Sequence, residues 1–489
     1  MILPKSNPDF IYEIVQGDAS RDFPMLCFDT RKATADSLFV AIKGANFDAH
    51  DAIDELVEKG VKAFVVEKEA SVSSDCLVIK VDDTRHALAY LSNIFFGCPT
   101  EKLAIIGVTG TKGKTTTTHM IKHLFELSGR KTALIGTNGI HYADVHKKTI
   151  NTTPDSYELA ETFADMVSKG IDTVVMEVSS QATKMHRVDA IYFEACIFLN
   201  ITPDHIGPNE HADFDEYLEC KSDLFKSCKN AFINIDDPHA DYIIKNSTAK
   251  NIYTFGTSQA ARYRADDFRI LNTSELVGFT FDFIHDDAKV PCTVGIPGSF
   301  NMQNALASIS LCHEYGIDDN ILSEGLRNIH VNGRMEIAYS SDKITVLIDY
   351  AHNAISMESL LHSLKDYHPK RLVVVFGCGG NKDKKRRYTM GESAGRMADL
   401  SIITADNSRN EKTQDIIDDI VGSLLPTGGK YIEIPDRREA IFYAIEHAMD
   451  GDVIAIIGKG HEDYQEENGH RVHFLDREVV DEAIDKFIC

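Results

Sequence analysis

The sequence predicts an α/β protein of three domains, with a parallel sheet in the central domain and a Rossmann-like fold in the last. Three observations support this prediction. The chain has 489 residues, which is too many for a single hydrophobic core. Short apolar runs alternate with helical patterns, as in layered α/β folds. A glycine-rich turn at residues 107–116 joins one such run to a helical pattern.

The first domain is expected at residues 1–102. Residues 37–42 and 63–66 are short apolar strands, and residues 52–59 between them have a helical pattern. Glycine and proline at residues 97–100 mark a turn, and a buried strand starts soon after it. We therefore place the first boundary near residue 102.

The second domain is expected at residues 103–335. Its strands at residues 103–108, 173–176 and 195–199 are continuous apolar runs, separated by helical stretches such as residues 156–168. Strands that are apolar on both faces are typical of a parallel sheet that helices cover on both sides. This domain should therefore have a fully buried central sheet.

The third domain is expected at residues 336–489, after a break at residues 332–334. Four further apolar strands alternate there with helices, at residues 345–348, 372–376, 400–403 and 453–457. Open α/β sheets of this kind bind ligands at the carboxyl ends of their strands. We expect the functional residues of this domain at those ends.

The composition excludes several classes of protein. A formal net charge of −24 argues against general nucleic-acid binding, which needs a basic face. A locally basic run at residues 382–387 is expected to be a solvated loop. The ten cysteines include no Cys-x-x-Cys pair, so neither a cysteine zinc site nor a secreted disulfide framework is expected. We expect a cytoplasmic protein with buried thiols, without a signal peptide or membrane span.

The strongest motif is the glycine-rich loop at residues 107–116, before a helix expected to begin near Thr116. Glycines allow backbone N–H groups to close on phosphate oxygens, Lys114 supplies a cation, and the Thr115 hydroxyl can ligate Mg²⁺. Val108 occupies the position of the first glycine in the strict P-loop pattern, so an ordinary glycine turn stays open from spacing alone. The expected contacts of a nucleoside triphosphate are Gly110, Thr111, Lys112, Gly113, Lys114, Thr115 and Thr116.

Two polar residues follow neighbouring apolar strands of the second domain. Glu177 follows one strand and His205 follows the next, where a Mg²⁺ that bridges nucleotide phosphates would lie. A single histidine is more often a structural, hydrogen-bonded residue, so neither side chain is decisive alone. Lys221, further along the chain, can also be interpreted as a surface lysine on an amphipathic helix.

These motifs together resemble the Mur ligases. The loop Thr-Gly-Thr-Lys-Gly-Lys-Thr-Thr at residues 109–116 has the form found in that family and in the related folate polyglutamate ligases. The other segments that carry the resemblance are residues 29–32, 44–50, 152–155, 186–188, 217–225, 333–336, 349–353 and 377–384. The resemblance covers nearly the whole chain. Thr30 stands where serine is usual in the family, and the hydroxyl is retained.

The resemblance implies a ligase of peptidoglycan precursor synthesis that uses ATP and Mg²⁺ and forms an amide bond through an acyl phosphate. In the family, the lysine that matches Lys221 is carbamylated, and the resulting anion helps to hold a second Mg²⁺. The implied catalytic residues are Lys114, Glu177, His205 and Lys221, of which the last three join Thr115 at the metal. The further implied contacts are Asn304, Arg334 and Asp349 for the nucleotide, and Thr30, Thr152, Thr153, Ser179 and Arg187 for the UDP-sugar.

The amino acid that such a ligase would add is indicated by residues 406–409, which read Asp-Asn-Ser-Arg. Relatives that add meso-diaminopimelate to UDP-N-acetylmuramoyl-L-alanyl-D-glutamate usually have Asp-Asn-Pro-Arg. A guanidinium can hold the second carboxylate of diaminopimelate, which lysine lacks, with two parallel hydrogen bonds. L-Lysine stays an alternative, because residues 202–208 and the lysine of the phosphate loop resemble the lysine-adding branch. The implied contacts of the amino acid are Arg387, Asp406, Asn407, Arg409, Gly458 and Glu462.

Two other functions share parts of this pattern. A folate polyglutamate ligase would have the same loop but usually lacks a separate uridine-binding domain, so residues 1–102 count against it. A regulatory nucleotide-binding protein that has lost catalysis should show damage at Lys114, Glu177, His205 or Lys221, and all four are intact. We expect a monomeric enzyme whose partners are small-molecule substrates.

Overall fold

The computed structural model describes residues 1, 3, 10–20, 22–69, 72–207, 210–273, 275–286 and 288–488. The chain forms two compact units, one made of residues 1–118 and 129–254 and the other of residues 119–128 and 255–489. The expected domain boundaries near residues 102 and 335 lie inside these units, so the division into three domains stays a prediction. Most of the N-terminal segment 1–8, where we expected no signal peptide, is outside the described residues.

The first unit begins with a five-stranded sheet in the order β1-β5-β4-β3-β2. Strand β1 runs antiparallel to β5, and the other neighbours are parallel. Its strands are β1 (Glu13–Gln16), β2 (Met25–Cys27), β3 (Ser37–Val40), β4 (Ala63–Val66) and β5 (Leu77–Lys80). Its helices are α1 (Ile53–Glu58), which follows a 3₁₀ turn at Ala49–Ala52, and α2 (Thr84–Phe95).

The same unit contains seven strands of a larger sheet, in the order β12-β11-β6-β10-β7-β8-β9. These are β6 (Ala104–Thr109), β7 (Thr132–Gly136), β8 (Gly139–Tyr142), β9 (Val145–Lys147), β10 (Thr173–Glu177), β11 (Phe193–Phe198) and β12 (Cys228–Asn234). The accompanying helices are the first turn of α3 (Lys114–Leu127), which continues in the second unit, and α4 (Ser156–Ser168), α5 (Ser180–Lys184), α6 (Phe214–Asp223) and α7 (Ala240–Asn246). Strands β12, β11, β6, β10 and β7 are parallel to their neighbours, as their continuous apolar sequences predict.

Strand β6 lies between β10 and β11 in the sheet. The chain therefore continues from β6 to one side of the sheet and later returns to its other side. A crevice at the carboxyl ends of the strands is expected at such a point. Gly107 permits the packing here, because a Cβ at this position would lie 2.9 Å from the ring of Phe193. The fold therefore directs the glycine-rich loop towards the site at which α/β sheets bind ligands.

The second unit contains an antiparallel meander, two helices and a second α/β sheet. Strand β13 (Asn251–Gly256) leads into β14 (Tyr263–Asn272), β15 (Val277–His285) and β16 (Ala288–Val294), followed by α8 (Phe300–Glu314) and α9 (Asp319–Glu324). Strands β14, β15 and β16 pair in sequence order. Alternate residues of β15 are buried phenylalanines, Phe279, Phe281 and Phe283, which join the meander to its core.

The second α/β sheet has the order β17-β18-β22-β19-β20-β21, in which only β17 is antiparallel. Its strands are β17 (Glu336–Ser340), β18 (Ile344–Asp349), β19 (Arg371–Phe376), β20 (Leu400–Ile403), β21 (Tyr431–Glu433) and β22 (Asp452–Ile457). Its helices are α10 (Ala354–Lys365), α11 (Lys385–Met397), α12 (Thr413–Leu424), α13 (Arg437–Glu446) and α14 (Asp476–Phe487). A separate hairpin, β23 (Tyr464–Glu467) with β24 (His470–His473), precedes α14.

The α/β prediction is confirmed, and several predicted elements have nearly the observed bounds. The helix at Ser156–Ser168 and the strand at Leu400–Ile403 agree with the sequence interpretation. The helix expected near Thr116 begins at Lys114 instead. Of the nine cysteines described as free thiols, all except Cys98 are buried.

Candidate active site

The glycine-rich loop connects β6 to α3 at the carboxyl edge of the first unit's large sheet. Gly113 has a φ of +90°, a conformation that glycine adopts without strain. The Lys114 Nζ donates to the carbonyl oxygens of Gly110 at 2.7 Å and Thr111 at 3.3 Å. Thr115 and Thr116 lie buried in the first turn of α3. The loop therefore has the strand, turn and helix N-terminus that a phosphate site requires.

The loop is held in place by the segment that follows β11. The Thr111 N–H donates to the Asn200 carbonyl at 3.0 Å, and the Lys112 N–H donates to the Asn200 Oδ1 at 3.0 Å. The Lys112 Nζ lies 3.3 Å from the carboxylate of Asp204. The Thr111 hydroxyl lies 3.0 Å from the Tyr217 hydroxyl. Asn200 and Tyr217, which the sequence interpretation did not single out as site residues, therefore fix the loop's shape.

Glu177 ends β10 and is almost completely buried. Its Oε1 accepts from the Thr137 N–H at 2.8 Å, and its Oε2 accepts from the Thr137 hydroxyl at 3.2 Å. The Thr137 hydroxyl also lies 3.1 Å from that of Thr152. Gly136 has to be glycine, because an added Cβ would collide with the Glu177 carboxylate. The adjacent Gly136 and Thr137 were missed, although a glycine at a strand end is a signal of close backbone approach.

Four of the residues implied for the UDP-sugar lie close to Glu177 and to one another. Besides Thr152, the Thr153 hydroxyl donates to the Glu177 carbonyl at 2.9 Å and accepts from the Ser179 N–H at 3.1 Å. The Arg187 guanidinium donates to the Thr153 carbonyl at 2.9 Å. Polar groups from three chain segments thus gather at one end of β10.

Thr30, the fifth such residue, lies in the turn after β2. The preceding Phe28 packs against Tyr157 of α4, with ring centroids 5.5 Å apart. Tyr157 is a few residues beyond Thr152 and Thr153 in the chain. The structure therefore brings the segment of Thr30 to the helix that follows those two residues.

Lys221 lies in α6 and its side chain is buried, so the alternative interpretation of it as a surface lysine is wrong. The side chain is 2% exposed, and its Nζ lies 4.7 Å from the centre of the Tyr217 ring. Helix α6 packs against α5 and α7, which explains the burial. Loss of solvation, and secondly the charge of Lys114, hold the pKa of Lys221 well below its usual range. No carboxylate of the described residues forms an ion pair with it.

His205 lies in a loop beyond β11 and is half exposed. Its φ of +55° is uncommon for a residue with a side chain. The Nδ1 lies 3.0 Å from the Glu210 carboxylate. Glu177 and His205 therefore each have separate partners in the structure, although both follow the carboxyl ends of strands that flank β6.

The residues implied for the nucleotide in the second unit are Asn304, Arg334 and Asp349. Asn304 is buried in α8 and donates to the Asn301 side chain at 2.9 Å. The Arg334 guanidinium lies 4.6 Å from the centre of the Tyr350 ring. The Asp349 carboxylate ends β18 and accepts from the N–H groups of Met335 at 2.8 Å and Ala351 at 2.7 Å. The segments of Arg334 and Asp349 are thus connected to each other by direct contacts.

The segment with Asp406 and Asn407 follows β20 and meets the segment with Gly458 and Glu462, which follows β22. The Asn407 side chain donates to the Glu462 carboxylate at 2.8 Å. A Cβ added to Gly458 would lie 3.0 Å from the Asp406 carboxylate. These four residues are therefore brought together at the carboxyl edge of the sheet, as the sequence analysis expected for this kind of fold.

Arg409 lies two residues beyond Asn407 and has a left-handed backbone conformation. Its φ is +53°, and its N–H donates to the Glu466 carbonyl at 3.0 Å. The guanidinium donates to the Gly380 carbonyl at 2.6 Å. One side of the Arg409 side chain is thus anchored to the backbone of residues 377–384, in the segment that the sequence analysis singled out.

The basic run at residues 382–387 was expected to be a solvated loop, but Arg387 is buried. Residues 382–385 are exposed, but Arg387 lies in α11 with only 1% of its side chain exposed. Its guanidinium pairs with Glu411 at 2.8 Å and with Asp419 at 2.9 Å. The burial of one residue in a basic run is explained by these two carboxylates, which the local sequence does not reveal.

Two further residues at this edge were missed by the sequence interpretation. Lys459 is fully buried, with its Nζ 3.4 Å from both Asn407 Oδ1 and Glu462 Oε2. His461 packs against Tyr350 at a centroid distance of 5.0 Å. Burial, and secondly the charge of Arg334, lower the pKa of His461 to about 3, so its ring is neutral. The sequence Gly-Lys-Gly-His-Glu, a lysine between two glycines, was the available signal.

Three family models match the chain. They are the Mur ligase family catalytic domain at residues 23–96, the Mur ligase middle domain at residues 108–312, and the Mur ligase glutamate ligase domain at residues 333–460. In the part of the chain that the structure describes, no helix is long and apolar enough to cross a membrane.

Similar proteins cover almost the whole chain. UDP-N-acetylmuramoyl-L-alanyl-D-glutamate--2,6-diaminopimelate ligase 1 of Clostridium acetobutylicum is 38% identical over 99% of both chains. The ligase of the same name from Geobacillus thermodenitrificans is 37% identical over 95% of both chains. A solved structure of a UDP-N-acetylmuramoyl-L-alanyl-D-glutamate--2,6-diaminopimelate ligase has a TM-score of 0.72 and 30% identity, and covers 97% of both chains.

A more distant structure shows the fold alone. Folylpolyglutamate synthase of Mycobacterium tuberculosis, complexed with ADP and AMPPCP, has a TM-score of 0.60 and 16% identity, and covers 77% of this chain. The three family models instead match 23–96, 108–312 and 333–460, and the relatives above cover 95% or more of the chain. This protein belongs to the Mur ligase family.

Proposed function

We propose that this ATP-dependent ligase joins meso-2,6-diaminopimelate to the D-glutamate of UDP-N-acetylmuramoyl-L-alanyl-D-glutamate. The observation that carries the proposal is the cluster of Asp406, Asn407, Arg409 and Glu462 at one sheet edge. The names of relatives similar over their full length support the same pair of substrates. A guanidinium and a carboxylate at the same sheet edge can recognise the carboxylate and ammonium at the far end of diaminopimelate.

The proposed reaction proceeds in two steps, because a carboxylate does not react with an amine at neutral pH. The substrate carboxylate attacks the γ-phosphorus of ATP, an acyl phosphate forms, and ADP leaves. The amine of diaminopimelate then attacks the acyl carbon. The tetrahedral intermediate loses inorganic phosphate and a proton from the nitrogen, and an amide remains. The protein has to position the reactants and stabilise the developing negative charge.

We assign the transferred phosphoryl group to the glycine-rich loop. The N–H groups of residues 110–116 and the N-terminus of the 14-residue helix α3 favour an anion there. Without nucleotide, Lys114 donates to two loop carbonyls, and these weak partners can be exchanged for phosphate oxygens. We assign the adenine nucleotide's contacts in the second unit to Asn304, Arg334 and Asp349.

Mg²⁺ is proposed as the metal, since it prefers oxygen ligands and would supply positive charge to the phosphates. Thr115 and Glu177 offer such oxygens, and His205 offers an imidazole. An unmodified Lys221 does not fit a metal site, because an ammonium repels a dication and an amine is a poor Mg²⁺ ligand. A carbamate on Lys221 fits, because it offers two oxygens and a negative charge.

The environment of Lys221 favours this modification. Burial holds its pKa low, so the neutral amine is available to attack CO₂. The new N–C bond forms with loss of a proton from nitrogen, and the product is an anion. The charge of nearby Lys114, which disfavours an ammonium at this position, favours an anion by the same argument.

We assign the UDP-sugar to Thr30, Thr152, Thr153, Ser179 and Arg187. Hydroxyl groups and one guanidinium suit the hydroxyl, amide and phosphate groups of a nucleotide-sugar. For diaminopimelate we assign Arg387, Asp406, Asn407, Arg409, Gly458 and Glu462. Arg387 already pairs with Glu411 and Asp419, so we assign it a supporting contact rather than the main one. We further propose that the enzyme acts in the cytoplasm as a monomer.

The proposal is tested by ADP formation with purified protein, ATP, Mg²⁺, the UDP-linked dipeptide and one amino acid at a time. We expect ADP only when the dipeptide and meso-diaminopimelate are both present. ADP formation with L-lysine and not with diaminopimelate would support the lysine alternative. ADP formation with a folate and glutamate, and not with the UDP-linked dipeptide, would overturn the proposal.

A further inference from the structure

Two imidazoles face each other where the β15–β16 hairpin meets the connection between α8 and α9. His285 is the last residue of β15, and His313 lies in the last turn of α8. Their ring centroids are 4.0 Å apart. Asp286 follows His285 in the chain, and Asp319 is the first residue of α9. The cluster is distinct from all of the residues assigned above to the ligase reaction.

His285 is unusual because its buried ring has no hydrogen bond to any described residue. Its side chain is 7% exposed, and neither Nδ1 nor Nε2 has a hydrogen-bond partner in the described part of the chain. Most buried polar groups in native proteins are paired with protein, water or an ion. A ring with both nitrogens unpaired therefore indicates a missing partner.

The Asp319 carboxylate lies near both rings without a direct hydrogen bond to either, one oxygen facing each ring. The Asp319 carboxylate oxygens lie 3.6 Å from His285 Nε2 and 3.6 Å from His313 Nδ1. These distances are too long for hydrogen bonds. Two ligands at about 2.0–2.1 Å from a tetrahedral Zn²⁺ lie roughly 3.3 Å apart. Asp286 offers a further carboxylate, with its ligand atom within 4.8 Å of those of both histidines.

A second histidine cluster in the protein provides a contrast. His86 and His186 each place Nδ1 2.6 Å from the same carboxylate oxygen of Asp189. Those are ordinary hydrogen bonds, which use the ring protons and satisfy the carboxylate. That cluster is therefore complete without an ion, whereas the cluster around His285 is not.

We propose that His285, His313 and Asp286 bind a Zn²⁺-class transition-metal ion, with Asp319 beside both rings as a supporting carboxylate, and that the ion ties the hairpin to the α8–α9 connection. Two imidazoles and carboxylate oxygens suit Zn²⁺, while Mg²⁺ prefers oxygen ligands alone. Two carboxylates match the charge of a dication. The neighbouring Glu314 is already engaged by Arg262 at 2.8 Å and by the Tyr263 hydroxyl, so it does not compete for the ion.

The test is a Zn²⁺ titration of the chelator-treated full-length protein against a Zn²⁺ indicator, without nucleotide and with excess Mg²⁺. Excess Mg²⁺ occupies oxygen-rich sites. We expect one strong Zn²⁺ site in the wild type. His313→Gln and Asp319→Asn should each weaken it by at least about tenfold, since even residues outside the ligand shell have effects of that size. His86→Gln is the matched control and should bind as the wild type does.

Thermal unfolding provides the second measurement and shows whether the variants fold. Zn²⁺ should raise the Tm of the wild type and of His86→Gln, but not of His313→Gln, while all three have the same circular dichroism. His313 and Asp319 are chosen because they are more exposed than His285. The proposal is overturned if the wild type binds no Zn²⁺, if His313→Gln and Asp319→Asn both bind it normally, or if only His86→Gln loses it.

Discussion

At the scale of single residues, the proposed chemistry depends on two neighbouring lysines with different environments. Lys114 is partly buried on the phosphate loop and donates to two carbonyls, whereas Lys221 is fully buried beside the Tyr217 ring. The positive charge of Lys114 disfavours an ammonium at Lys221. We therefore expect Lys114 to remain a cation that binds phosphate and Lys221 to become an anion.

Lys114→Ala should reduce ligation at least about a hundredfold, or about 2.7 kcal/mol, because a charged contact with the transferred phosphoryl group is lost. The fold should remain intact, since Lys114 does not pack in a core. The measurement is ADP formation, with circular dichroism as the folding check. Lys122→Ala, in the same helix but paired with Glu126 at the surface, is the control and should retain activity. Normal turnover in folded Lys114→Ala would contradict the loop assignment.

Lys221→Ala should nearly abolish activity, and a short carboxylic acid should partly restore it by replacing the carbamate anion. Turnover is measured with and without the added acid. Lys226→Ala provides the comparison, because Lys226 is about half exposed and pairs with Asp223. It should be active and unaffected by the acid. An active wild-type enzyme whose intact mass shows no carbamate would argue against the modification.

Arg409→Ala should weaken the use of diaminopimelate by about 2–5 kcal/mol, since a carboxylate of the substrate loses its charged partner. Arg409 suits this role because its guanidinium is anchored to the Gly380 carbonyl. It also follows Asn407, which donates to Glu462, by two residues. Steady-state kinetics should show a lower kcat/KM for diaminopimelate and an unchanged KM for ATP. A variant with wild-type kinetics on diaminopimelate would remove Arg409 from substrate recognition.

At the scale of elements, the sequence predicted the positions of strands much better than the partners of buried side chains. Continuous apolar runs predicted the strands ending at Asp349 and Ile457 because strands buried on both faces leave a clear pattern. The polar hairpin β23–β24 has no such pattern and was missed. The burial of Lys221 and Arg387 could not be predicted, because it depends on partners that are distant in the chain or on neighbouring helices.

A buried ion pair between two helices supports the predicted amino-acid site. Arg437 of α13 and Asp476 of α14 are completely buried, with an N–O distance of 2.6 Å. The same guanidinium donates to the carbonyls of Ala405 at 3.3 Å and Ile457 at 3.1 Å. These residues directly precede Asp406 and Gly458. Arg437 thus connects the two strand ends from which the candidate site is built.

Asp476→Ala should lower the stability of the second unit by about 3–5 kcal/mol, because it leaves the Arg437 cation buried without its partner. Hydrogen exchange of the β20 and β22 amides, together with the urea midpoint, measures the effect. Glu482→Ala is the matched control, since Glu482 pairs with Arg438 between the same two helices at the surface. That variant should differ little from the wild type. Equal effects in the two variants would contradict the role of the buried pair.

At the scale of the whole molecule, the motifs identified the family because they are spread along the chain. The loop at residues 109–116 is shared with folate polyglutamate ligases, so it could not distinguish such a ligase from one of peptidoglycan precursor synthesis. Residues 1–102 and the segment around Arg409 could distinguish them, because they are the expected binding segments for the nucleotide-sugar and the amino acid. The choice of amino acid depends on the shape of a few side chains, and for that reason it was the least predictable part of the function.

The most direct test of the central claim is a competition between meso-diaminopimelate and L-lysine at equal concentration. The enzyme is given ATP, Mg²⁺ and UDP-N-acetylmuramoyl-L-alanyl-D-glutamate, and the two possible tripeptide products are separated by mass. A site built to pair a substrate charge rejects an analogue without it by roughly 10⁴-fold or more. We therefore expect the diaminopimelate product almost alone. A predominance of the lysine product would contradict the proposed specificity, and the absence of both products would contradict the proposed reaction.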